Sequence, residues 1–111
     1  MMYIDFSAGN KEYKLRLNIR AVAALEKQIG CNPLSIFGNG STIPTVTTMV
    51  YVLHASLQQY HHGITLDDAF GIFEAYINDG NMPTDFINVI VEIYKASGLM
   101  REDKEEDTEK N

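Results

Sequence analysis

Tyr3-Ile4-Asp5-Phe6-Ser7 and Glu12-Tyr13-Lys14-Leu15-Arg16-Leu17 each alternate apolar with polar residues, which is the two-residue period of a half-buried strand. Ala8-Gly9-Asn10 lies between them as a glycine-containing turn, so the front of the chain predicts a β-hairpin. Ile4 and Phe6 share one face of it, as do Tyr13, Leu15 and Leu17. A two-stranded hairpin is marginal alone, and that face requires helices to pack on.

After Leu17 the apolar spacing changes to three and four. Asn18 is a suitable N-cap, with Leu17 and Val22 placed as a hydrophobic staple; Ile19, Val22, Leu25 and Ile29 then point inward until Gly30. Residues 32–42 form a connector holding Pro33, Gly38 and Gly40, in which Leu34, Ile36 and Phe37 make one short turn over the core. A second helix starts at Pro44 and carries the stripe Val46, Met49, Val50, Leu53, Leu57 and Tyr60. Thr65 caps a third, with Asp67 and Asp68 near its positive end and Leu66, Ala69, Phe70, Phe73, Tyr76 and Ile77 inward. Pro83-Thr84-Asp85 opens a fourth, whose buried side is Phe86, Val89, Ile90, Ile93 and Tyr94. Glycines 30, 63, 80 and 98 stand where each period stops. The fold class expected is mainly α: an N-terminal hairpin on a compact bundle of four helices, one domain over residues 1–100.

The apolar pattern ends at Met100. Arg101–Asn111 contains six acids, three bases and no apolar side chain, so residues 101–111 are expected to be a disordered, charged tail. The tail carries half of the net charge of −6. In the body, residues 1–30 are positive by two and residues 31–100 negative by five. That asymmetry allows head-to-tail self-association, or else two solvated faces without a partner. An acidic body disfavours nucleic acid. Cys31 is the only cysteine, which excludes an internal disulfide. Residues 44–60 are too short and too polar to span a bilayer, and no signal peptide is apparent. A cytoplasmic protein without membrane contact is expected.

Candidate chemistry is sparse. His54 and His61 are two helical turns apart and His61-His62 are adjacent, unlike the i,i+4 pair of a helical zinc site. Cys31 follows a helix C-terminus, the wrong end for activating a thiol, and reads as a buried or partly buried structural residue. Asp67, Asp68, Glu74 and Asp79 lie off the apolar stripe as a solvated face. Gly38-Asn39-Gly40-Ser41-Thr42 lacks the lysine of a phosphate loop. No catalytic residue, metal or cofactor is therefore expected. Tyr51, off the main stripe and beside Val52 and Ala55, belongs either to the core or to a partner surface. Tyr51, Val52 and Ala55 are the candidate partner-binding residues.

The order strand, turn, strand and helix, with LRLNIRAVAALEKQIG, resembles the tail assembly chaperones of long-tailed bacteriophages and prophages of Gram-positive bacteria. The stretch that carries the resemblance is Tyr13–Leu34, through Ala24-Leu25-Glu26-Lys27, Gly30 and Asn32-Pro33-Leu34. The resemblance implies a cytoplasmic assembly factor that binds and solubilises the tape-measure protein and recruits tail tube subunits. It also implies two products from a programmed ribosomal slip, of which this would be the short form. Glu109-Lys110-Asn111 can be encoded as GAA AAA AAC, which contains a slippery run. The alternatives are a generic helical adaptor or regulatory subunit, and a minor structural tail protein.

Overall fold

The computed structural model describes residues 2–37 and 43–101. The hairpin consists of β1 (Ile4–Ala8) and β2 (Lys11–Leu15), followed by α1 (Ile19–Ile29) and a 3-10 turn (Pro33–Phe37). The remaining helices are α2 (Val46–Leu57), α3 (Leu66–Asn78) and α4 (Asp85–Ala96). The expected loop at Gly38–Thr42 and the tail beyond Arg101 lie outside the described residues.

The strands pair antiparallel with Ile4 opposite Leu15 and Phe6 opposite Tyr13. This register puts the apolar residues of both strands on one face. The turn is one residue shorter than the sequence predicts, because Ala8 joins the ladder opposite Lys11. Gly9 and Asn10 remain, at φ 59° and 67°, the pair of left-handed residues that a two-residue hairpin loop needs to match strand twist.

β2's outer edge is docked on the end of α2. The Arg16 N–H donates to the Ser56 carbonyl at 2.9 Å, and the Lys14 N–H donates to His61 Nε2 at 2.9 Å. β1 instead leans on α3 and α4 through its aromatic residue: the Phe6 ring lies 5.2 Å from Tyr76 and 5.8 Å from Phe86. Phe73 meets Phe86 edge-on at 5.3 Å. These ring geometries are the favourable tilted and T-shaped ones, each contributing about 0.5–1.5 kcal/mol beyond area burial.

α2 is the central helix. Met49, Val50, Val52, Leu53, Ala55, Ser56 and Leu57 are all buried, so its surroundings cover it on more than one side. The hydroxyl of Ser56 sits there without penalty because it donates to the Leu53 carbonyl at 2.9 Å. The helix begins at Val46 with Thr45 as its cap, two residues later than a start at Pro44. Thr65 and Asp68 form the reciprocal capping box of α3.

α1 departs from its expected burial. Asn18 caps it and Gly30 ends it at φ 76°, but Leu25 is its one fully buried residue. Val22 and Ile29 are half-buried, and Ile19 is 74% exposed. The apolar period is sufficient for a helix, yet among the described elements α1 packs chiefly on α2 and the 3-10 turn. Leu34 and Phe70, both expected inside, are each 41% exposed. Among the described residues no helix is long and apolar enough to cross a membrane.

Candidate functional site: a groove between α1 and α2

Ala21 and Ala24 of α1 face Ala55 of α2 across a groove of about 580 Å³. Three alanines meet where larger side chains would otherwise fill the space between two helices, so the groove follows directly from side-chain size. Its rim consists of Asn18, Arg20, Gln28, His54, Gln58, Gln59 and His62. Asn18 closes one end. Its Oδ1 accepts from the Ala21 N–H at 2.8 Å, and its amide donates to Gln59 Oε1 at 3.2 Å. Gln58 is locked into the wall, donating to the carbonyls of His54 at 3.0 Å and Ile64 at 2.9 Å.

Among the described residues no carboxylate lines this groove. Arg20 is exposed and makes no ion pair among the described residues. The rim therefore offers one fixed positive charge and a set of amide and imidazole donors above an apolar floor. Such a surface suits a segment with a small-residue or apolar stripe flanked by hydrogen-bond acceptors.

The structure separates the three candidate partner-binding residues. Val52 is fully buried at 0% exposure, facing the core rather than solvent. This corrects its assignment to a partner surface: the helix has no second open face at its centre. Ala55 is 6% exposed and lines the groove. Tyr51 is half-buried against the core and does not line the groove.

The three histidines have different placements. His54 and His62 line the groove, while His61 turns to the hairpin, accepting from Lys14 and meeting the Tyr13 ring at 5.4 Å. Burial, with the Lys14 ammonium nearby, lowers the His61 pKa, which keeps the imidazole neutral and able to accept. Cys31 is exposed, a correction to its reading as a buried or partly buried thiol, because the chain emerges to the surface after the left-handed residue Gly30. Among the acids, Asp79 Oδ2 accepts from the Gly9 N–H at 2.9 Å. Hydrogen bonds from the Thr65 backbone and then its hydroxyl lower the Asp68 pKa. Among the described residues no group of three His, Cys, Asp or Glu side chains converges.

The residues of the Ala24–Leu34 stretch have separate local roles. Ala24 lies on the groove floor and Leu25 anchors α1 in the core. Gly30 donates back to the Glu26 carbonyl at 2.9 Å. Asn32 Oδ1 accepts from the Leu34 N–H at 3.0 Å, and the Pro33 carbonyl accepts from the buried Tyr94 hydroxyl at 2.8 Å. Sequence reasoning missed the groove; its one available signal was the run Ala21, Ala23, Ala24 in a helix with few large apolar residues.

A family model described as a family of unknown function, DUF6096, matches residues 4–111. No curated protein and no solved structure matches the chain.

Proposed function

The chain belongs to the DUF6096 family, and we propose that it is a binding protein acting as a phage tail assembly chaperone. In this reading a helical segment of a tape-measure protein lies in the groove between α1 and α2. The single observation that carries it is the alanine-floored groove beside a helix with one fully buried residue, Leu25. A partner helix with its own small or apolar stripe would approach closely, cover the alanines and complete the burial of α1. The rim N–H groups would donate to acceptors on its polar flanks.

Support for the partner's identity is the resemblance of Tyr13–Leu34 to tail assembly chaperones, a stretch that includes all of α1. The chemistry suits temporary binding. A floor of alanines gives little apolar area per contact, so affinity is modest and the factor can be displaced as tube subunits assemble. Recruitment of those subunits, and a cytoplasmic site of action, belong to the same proposal.

Co-expression with a long helical protein encoded beside this gene tests it. The expected result is co-purification that Ala24→Trp weakens at least tenfold while the circular dichroism of the chain is unchanged. Ala24 is exposed, so the indole would fill the groove from the solvent side. Unchanged capture by Ala24→Trp would overturn the groove as the binding site.

A further inference from the structure

Among the described elements the hairpin has one outer edge covered and one open. On β2 the outward N–H groups of Lys14 and Arg16 donate to His61 Nε2 and to the Ser56 carbonyl, both at 2.9 Å. Residues directly opposite in an antiparallel pair either exchange two hydrogen bonds or turn N–H and C=O away from each other. Asp5 stands opposite Lys14, and Ser7 opposite Glu12, two places along the same alternation. Because Lys14 points outward, Asp5 and Ser7 direct their N–H and C=O groups out of the free edge of β1. Among the described residues these groups have no hydrogen-bond partner. The two donor–acceptor pairs lie about 7 Å apart along the strand, the spacing at which a third strand presents its own.

This edge is one wall of a groove of about 290 Å³, with Ile4, Asp5 and Phe6 on its side and Asn88, Val89 and Glu92 of α4 on the other. A trough between a strand edge and a helix suits an extended peptide: main-chain bonds hold it, and its alternate side chains select it. Ile4 and Val89 are half-buried and packed on the core, an apolar contact for every second side chain of a bound segment. Asp5 and Glu92 are exposed carboxylates, and among the described residues no base lines the trough. Asp5 makes no ion pair among the described residues; the Lys14 ammonium opposite it lies over the Tyr3 ring at 5.2 Å. We propose that β1 and α4 bind an extended peptide as a third strand, one in which apolar residues alternate with lysine or arginine. Its backbone pairs with Asp5 and Ser7, and its apolar side chains rest on Ile4 and Val89. Its cations lie on the Asp5 side, with Glu92 adding to the same negative field. The lining shares no residue with the α1/α2 groove, and the site stands whether or not the chaperone reading does.

Amide spectra of the isotope-labelled full chain, titrated with a capped octapeptide alternating valine and lysine, test the site. The expected result is saturable shifts of Asp5, Ser7 and residues 88–92, with hydrogen exchange of the Asp5 and Ser7 amides slowed at least tenfold at saturation. Ser7→Pro removes one outward N–H and leaves the bonds to β2 intact, so the peptide should bind this variant at least tenfold more weakly. The same peptide N-methylated throughout keeps its charges and loses its main-chain donors, and it should bind the native chain as poorly. Asp5→Asn with Glu92→Gln should weaken binding of the plain peptide at least threefold and flatten its salt dependence. Equal binding of the plain and N-methylated peptides would overturn strand addition, since charge alone would then hold the peptide. Absence of saturable shifts on β1, or shifts centred on Asp67 and Asp68, would overturn the location. Asp5 and Ser7 amides that shift with protein concentration in the absence of peptide would make a second copy the occupant and overturn the peptide.

Discussion

His61 shows how a single side chain acquires its role from what lies opposite it. Its Nε2 accepts the outward N–H of Lys14 on β2, a donor that would otherwise be an open strand edge. A protonated imidazole has no lone pair left to accept with. Burial, then the Lys14 charge, depresses its pKa from the usual 6.5. The unfolded chain therefore takes up this proton at higher pH than the folded one. The stabilising contribution is complete above pH 6.5 and is lost as the pH falls through the lower, folded-state value. His61→Gln retains an acceptor that does not titrate. Urea denaturation at about pH 8 and about pH 5 is expected to show a smaller acid-induced loss for the variant than for the native chain. The difference should be no more than about 0.5–1.5 kcal/mol, the net value of one such hydrogen bond. Equal losses would mean that His61 does not couple the hairpin to pH.

Among the elements, the hairpin and α3 depend on each other at one close approach. A Cβ placed on Gly9 would stand 3.1 Å from the Ala75 Cβ, and Gly9 has φ +59°. Gly9→Ala therefore meets both left-handed strain, about 1–2 kcal/mol, and a contact with α3. Ala75→Gly removes that contact at a helix-propensity cost of about 1 kcal/mol. In a double-mutant cycle by chemical denaturation the pair should be less destabilised than the sum of the singles by about 0.5 kcal/mol or more. Additive losses would show that the turn moves away instead of pressing on α3. The caps and stops of the helices are legible in the sequence because they are local: Asn18 and Thr65 each bond an amide three residues on. The docking of the turn is not, since Gly9 and Asp79 are joined across seventy positions.

At the scale of the whole molecule, two residues that periodicity treats alike have opposite fates. Val52 on α2 is fully buried and Ala24 on α1 is exposed. Val52→Ser leaves a cavity and a buried hydroxyl, and should lower unfolding free energy by about 2–4 kcal/mol in urea titrations. Ala24→Trp should change it by less than about 1 kcal/mol, because its site opens on the groove. A Val52→Ser chain as stable as the native one would mean that the centre of α2 is not closed. By itself the sequence determined the hairpin, the four helices, most of the inward stripes and the charged composition of residues 101–111. Those follow from periods of two and three to four, from capping side chains and from composition, all read within a few neighbouring residues. Tertiary structure alone decided which stripes are covered. It surrounded α2, left Ile19 and Phe70 exposed, and set three alanines face to face as a groove. Coverage depends on where distant elements come to rest against a helix, and no local period specifies that.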